Sequence, residues 1–217
     1  MKDTLLFDLD GTLLDTVDDL ANSLNHTLAS RGYPTHSRTA VLAMVGNGLA
    51  NLMARALPKG TEEPEFAAIL AEFRAYYEAH KTDLTAPYAG IFEMLAALSA
   101  AGYRIAVVSN KVDSAVRALS KQYFGDLISV AVGDREGFAR KPAPDLVNEA
   151  LRLLDSTADR AYFIGDSEVD VLTARNVGVP CLAVTWGFRT EATLREAGAT
   201  ALFHTAAALS DFLLAGK

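Results

Sequence analysis

The sequence predicts an α/β protein: a parallel sheet covered by helices on both faces, interrupted after its first strand by an all-helical block. Three observations carry this expectation. Strand-like segments such as Leu5-Leu6-Phe7 and Ala161–Gly165 are near-continuous apolar runs, as expected where both faces of a sheet are covered. From Ala89 onward such runs alternate with helical patterns, whereas no strand pattern occurs between Leu14 and Tyr88.

The first strand runs into Asp8-Leu9-Asp10-Gly11-Thr12. Asp18 to Ser30 then reads as an amphipathic helix, because Leu20, Leu24 and Leu28 recur at spacing four. Helices over Ser37–Val45 and Leu49–Leu57 follow, separated by Gly46-Asn47-Gly48. Pro58 to Pro64 is a breaker segment, and Glu65 to Lys81 is a fourth helix. The alternating part begins with a helix at Ala89–Ala101, a strand at Tyr103–Ser109, a helix at Val112–Tyr123 and a strand at Ile128–Val132. A helix at Pro144–Leu154, a strand at Ala161–Gly165, a helix at Glu168–Val177 and a strand at Val179–Val184 come next. A strand at Ala201–Phe203 and a closing helix at Ala206–Leu214 end the series.

Composition narrows the function classes. A chain of 217 residues with 50% hydrophobic content buries roughly 70% of its unfolded surface and needs no cross-links. The single cysteine, Cys181, excludes an internal disulfide framework, and its apolar neighbours predict a buried structural thiol. Without a basic leader or a long apolar stretch, the expected setting is cytoplasmic, with no membrane partner. A net charge of −7 with scattered positive residues argues against nucleic acid. An acidic chain binds an anionic small molecule only where charge is locally inverted by a metal, a lysine or backbone amides. The four histidines lack metal-ligand spacing and are expected at the surface.

In open parallel sheets, ligands bind at the carboxyl ends of the strands. Three predicted strands end in polar residues there: Asp8-Leu9-Asp10-Gly11-Thr12, Ser109-Asn110-Lys111, and Gly165-Asp166-Ser167-Glu168-Val169-Asp170. Arg140-Lys141-Pro142 precedes a helix between the last two. Alternation along a strand lets Asp8 and Asp10 face one side, where a cation or shared proton would relieve their repulsion. Gly11 permits a sharp turn, and Thr12 offers a hydroxyl and an amide to an anion. Taken singly, Ser109 and Asp166 are equally readable as helix caps and Lys141 as a solvated loop charge.

Asp-x-Asp-Gly-Thr, Ser-Asn, Lys-Pro and Gly-Asp-Ser-x-x-Asp, in that order, resemble the four motifs of the haloacid dehalogenase superfamily, over essentially the whole chain. The resemblance implies a three-layer, Rossmann-like parallel-sheet core at residues 1–14 and 85–217, with an all-helical cap inserted at 15–84. Asp8 to Asp15 and Val45-Gly46-Asn47-Gly48 further resemble the superfamily's phosphoglycolate phosphatase branch. The implied activity is hydrolysis of a small-molecule phosphate ester. Asp8 would be the nucleophile, forming an aspartyl-phosphate, and Asp10 the general acid and base. Mg2+ would be shared by Asp8, the backbone carbonyl of Asp10, and Asp166. Ser109, the backbone at Asn110, and Lys141 would hold the phosphoryl oxygens, with Gly11 and Thr12 beside them. Asp170 would orient either the metal's waters or Lys141, unless it belongs to the acidic first turn of its helix.

Competing readings fit the residues less well. A dehalogenase has no need of both Asp10 and Asp166, and ion pumps of the superfamily carry Thr where Asp10 stands. Hexose phosphate mutases place a His at the position of Leu20 and an Arg near Leu49, and neither is present here. A catalytically silent binding module would tolerate missing motif residues, and none is missing. The expected substrate is 2-phosphoglycolate, with sugar phosphates, pyrophosphate and nucleotide monophosphates as alternatives. Gly46, Asn47 and Gly48 would contact the leaving group, or else form a plain helix–helix turn. Lys111 is placed to pair with a carboxylate, Arg55 faces either cleft or solvent, and Trp186 is expected to pack in the core.

Overall fold

The computed structural model describes residues 2–45 and 48–216. In chain order the elements are β1 (Thr4–Phe7), β2 (Leu14–Asp15), α1 (Val17–Ser30), α2 (Arg38–Met44), α3 (Leu49–Ala56), α4 (Glu63–His80) and β3 (Ala86–Pro87). There follow α5 (Ile91–Ala100), β4 (Arg104–Val112), α6 (Asp113–Phe124), β5 (Val130–Asp134), α7 (Asp145–Leu153) and β6 (Ala161–Gly165). The last are α8 (Glu168–Val177), β7 (Cys181–Val184), α9 (Glu191–Glu196), β8 (Ala201–Phe203) and α10 (Ala206–Ala215). Two compact units result, one of Met1–Leu14 with Pro87–Lys217 and one of Asp15–Ala86.

The first unit is built on a six-stranded sheet in the order β5-β4-β1-β6-β7-β8, with every pairing parallel. Alternation along β1 divides its side chains between two layers. Leu5 and Phe7 pack with Ile91, Leu95, Val116, Leu119, Leu209 and Leu213 of α5, α6 and α10. Leu6 points the other way, toward Leu146, Val147, Ala150 and Ala174 of α7 and α8. Each fully buried Leu or Phe contributes about 1.5–3 kcal/mol, so the central strand is held from both faces. The chain leaves β1 toward β4 on one side and later returns to β6 on the other. The carboxyl end of β1 is therefore the topological switch point, where open sheets of this kind leave a crevice.

The second unit is helical. Leu20, Leu24 and Leu28 of α1 bury against Val41, Leu52, Met53, Ile69 and Phe73 from the other three helices. α1 is also tied down by Asp19, whose buried carboxylate accepts the amides of Leu84 and Thr85, both at 2.8 Å. α4 begins before the expected Glu65 and takes in Pro64, which is tolerated in a first turn because no intrahelical N–H is needed there. Among the described residues, no helix is long and apolar enough to cross a membrane.

Three features depart from the sequence pattern. β2 and β3 lie where no strand is expected, but at two residues each they are too short to show a period. α9 has one buried apolar residue, Leu194, and so no amphipathic stripe; the Thr190 hydroxyl, accepting from the Thr193 amide, marks its start. β4 continues past Ser109 to Val112, which places Ser109-Asn110-Lys111 on the strand itself.

Candidate active site

Asp8 is the first residue past β1, and its amide donates to the Ile164 carbonyl at 2.8 Å, so its backbone is fixed by the neighbouring strand. Its Oδ1 accepts from Lys141 Nζ at 2.7 Å, and the same ammonium donates to Asp170 Oδ1 at 2.7 Å. Asp170 reaches this point because Ser167 and Asp170 form a reciprocal capping box at the start of α8. Asp170 Oδ2 accepts from the Ser167 amide at 3.1 Å and from its hydroxyl at 2.6 Å. Asp170 thus hydrogen-bonds Lys141 and also caps the first turn of its helix.

Asp166 follows β6. Its Oδ1 accepts from the Thr12 hydroxyl at 2.9 Å and its Oδ2 from the Phe188 amide at 2.7 Å. Asp8, Asp166 and Asp170 present oxygens within 4.8 Å of one another. Asp10 is not in this group: its Oδ1 pairs with Lys111 Nζ at 2.9 Å. The expected mutual repulsion of Asp8 and Asp10 is therefore met by separate lysines.

Burial governs the electrostatics. It pushes Asp8 well above the ordinary carboxylate range; Lys141 pulls it back, while Asp170 and Asp166 push it up again. Burial, then Asp170, raises Asp166 to about 7 against the opposing Phe188 amide and Thr12 hydroxyl. Desolvation favours the neutral form of Lys141, but Asp170 and Asp8 more than offset it and hold the ammonium charged. Three buried carboxylates against one ammonium leave an excess of negative charge on oxygen donors. That donor set fits a hard divalent cation.

The polar groups of the turn after β1 have partners within the chain. The Gly11 amide donates to Leu14 and the Thr12 amide to Leu9, at 2.9 and 3.3 Å, while the fully buried Thr12 hydroxyl holds Asp166. Gly11 and Thr12 therefore shape the turn and position a carboxylate rather than offer these groups to a phosphate. At φ +92 a side chain on Gly11 would be strained, and its Cβ would overlap Asp166. Asn110 also works through a neighbour. Its side chain exchanges two hydrogen bonds with the backbone of Lys141, at 2.9 and 2.8 Å, and fixes the loop that carries the ammonium. Ser109 is buried, and its Oγ accepts from the Lys111 amide at 3.2 Å. Gly46 and Asn47 lie outside the described residues; Gly48 precedes α3 with φ +90. Arg55 donates to the Met44 carbonyl at 2.6 Å.

The segment after β7 supports the site through more than the core packing expected of Trp186. Trp186 packs against the core as expected, yet its indole N–H also donates to the Thr12 carbonyl at 2.9 Å and so braces the turn after β1. Phe188 contributes its backbone amide, and Gly187 contributes the absence of a side chain, since a Cβ there would overlap Asp166 and the Gly11 carbonyl. Nothing but the Thr-Trp-Gly-Phe composition signalled this. Gly187→Ala is expected to displace Asp166 and so impair whatever chemistry that carboxylate supports, with an overpacking cost of about 1–3 kcal/mol in stability. Steady-state kinetics beside urea unfolding would check both.

Cys181 is half-buried, and its thiol is raised to about 12, first by burial, so it remains a protonated structural thiol.

A six-stranded parallel sheet with a helical insert after its first strand, and acidic residues at the switch point, defines a class. The Haloacid dehalogenase-like hydrolase family model matches residues 5–184, and the chain belongs to that family. It is 36% identical over 221 residues to a phosphoglycolate phosphatase of Rhodospirillum rubrum, covering 98% of this chain and 91% of that protein. A phosphoglycolate phosphatase of Mesorhizobium japonicum is 33% identical over 96% of this chain and 90% of its own length. A crystal structure of a protein from Lactobacillus delbrueckii subsp. bulgaricus superposes with a TM-score of 0.92 at 32% identity, over 98% of this chain and 99% of that one.

Proposed function

We propose that the protein is a Mg2+-dependent phosphatase that hydrolyses 2-phosphoglycolate in preference to other small phosphate monoesters, through an aspartyl-phosphate on Asp8. One observation carries this reading: a buried carboxylate at the switch point is locked by Lys141 at 2.7 Å, with Asp166 and Asp170 beside it. Similarity to proteins named phosphoglycolate phosphatase over nearly the whole chain supports the substrate.

Asp8, Asp166 and the backbone carbonyl of Asp10 would hold Mg2+, whose charge masks the repulsion between a carboxylate nucleophile and a phosphate dianion. An Asp8 carboxylate oxygen attacks phosphorus, and the bond to the bridging ester oxygen breaks as Asp10 protonates the leaving alkoxide. Asp10, now ionised, takes a proton from water, which attacks the aspartyl-phosphate and releases phosphate and Asp8. Lys141 and Ser109 hold the transferring oxygens, and Asp170 and Asn110 keep Lys141 in place. Selection among leaving groups we assign in part to the helical unit, with Gly46, Asn47 and Gly48 as its candidates.

Phosphate release from a panel of small esters, with and without chelator, tests this. Activity is expected to vanish on chelation, return with Mg2+ and fall with Ca2+, whose larger shell and looser geometry misplace Asp8. 2-Phosphoglycolate should outperform sugar phosphates and nucleotide monophosphates. Full activity after exhaustive chelation would refute the cation. Interconversion of hexose phosphates without release would make the protein a mutase, and inertness on every ester a binding module.

A further inference from the structure

Lys111 is a lysine to which the proposed chemistry gives no task. It rides on β4, and its amide is held by Ser109 Oγ at 3.2 Å, so its backbone is fixed. The side chain turns inward, is 14% exposed, and places its ammonium 2.9 Å from Asp10, which is 23% exposed. Lys141 is only 3% exposed and already spans Asp8 and Asp170. Of these two ammonium groups, Lys111 is the more exposed. It does not balance the buried acidic group either, since Asp10 lies outside that cluster. A partly solvated ion pair adds little to stability, so stability alone does not account for this inward turn.

We propose that Lys111 is a specificity residue that binds the carboxylate of an anionic leaving group, exchanging Asp10 for the substrate. This rests on the reading in which Asp10 faces the ester's bridging oxygen. In 2-phosphoglycolate a single methylene separates that oxygen from the carboxylate. A substrate whose bridging oxygen lies on Asp10 therefore brings its carboxylate beside a cation one hydrogen bond away. The favoured class is phosphate esters of 2-hydroxy acids. A neutral leaving group gives Lys111 no anion in exchange and leaves it clamped on Asp10.

The test compares wild type, Lys111→Met and Lys111→Arg with Mg2+ on 2-phosphoglycolate and on ethyl phosphate, which carries a methyl in place of the carboxylate. p-Nitrophenyl phosphate serves as an independent check of phosphatase activity. The ratio of kcat/KM for phosphoglycolate over ethyl phosphate is expected to fall about ten- to a hundredfold in Lys111→Met, chiefly through KM. Lys111→Arg should recover part of the ratio. Competitive inhibition by glycolate against p-nitrophenyl phosphate should weaken by a similar factor in Lys111→Met. Equal losses on both esters with unchanged glycolate inhibition would overturn the proposal and leave Lys111 acting only through Asp10. A wild type that releases no phosphate from p-nitrophenyl phosphate would overturn the phosphatase reading, and this proposal with it.

Discussion

Asp8→Asn is expected to abolish turnover, by at least about a thousandfold, while raising the stability of the metal-free protein. The amide nearly matches the carboxylate in shape but lacks its charge and nucleophilicity, so the fold should survive while the proposed attacking atom is lost. Stability rises because Asp8 is buried against two further carboxylates that a single ammonium does not balance. The same excess sets a pH dependence. Asp166 is raised from 3.8 to about 7, so the folded state holds a proton that the unfolded chain releases between those values. The contribution of this group to the stability of the metal-free protein is therefore fully present below that window and is lost as pH rises through it. Thermal melts of chelated wild type across the window, repeated for Asp8→Asn, should show the decline flattened in the variant. Rapid-quench trapping on wild type should find the phosphoryl group on Asp8. Turnover of the variant above a few per cent of wild type would remove Asp8 from its role.

Much of this molecule was legible because its order repeats on short scales. The run Leu5-Leu6-Phe7 against Asp8 announces a buried strand and its end, and Leu20, Leu24 and Leu28 announce a helix, without help from distant residues. The acidic residues at the strand ends were readable for the same reason, since each sits in its own local motif. What stayed hidden depends on partners far along the chain. Trp186 reads as a core aromatic, and only the fold shows its indole reaching Thr12. Thr12 looks like an anion ligand until Asp166 claims its hydroxyl. Gly187 is an ordinary loop glycine until Asp166 and Gly11 close in around it. Lys111 reads as a partner for a carboxylate, and only the fold shows that this carboxylate is Asp10, in the turn past β1.

Lys141→Met is expected to cost about 3–5 kcal/mol of stability and to remove activity. Lys141 is not a surface lysine whose loss is absorbed by water. It is buried over the Phe163 ring at 5.3 Å, and two of its three hydrogens go to Asp8 and Asp170. Methionine keeps the apolar stem and deletes the charge, so the loss measures the ammonium rather than packing. The two carboxylates would then share a dry site with no cation, and one would be forced to take a proton. Urea unfolding of chelated protein reads the cost directly, at a pH above the range in which the acidic group titrates. Combining Lys141→Met with Asp8→Asn separates charge from shape. If the charge account holds, the double variant recovers part of the lost stability, because one of the stranded carboxylates is gone, while activity stays absent. Additive losses in the double variant would mean that Lys141 stabilises the site through its hydrogen bonds to Asp170 and the backbone fixed by Asn110, independently of Asp8. Recovery of stability without recovery of activity is the expected outcome, since the proposed chemistry needs both the ammonium and the nucleophile at the phosphoryl group whereas the fold needs only their balance.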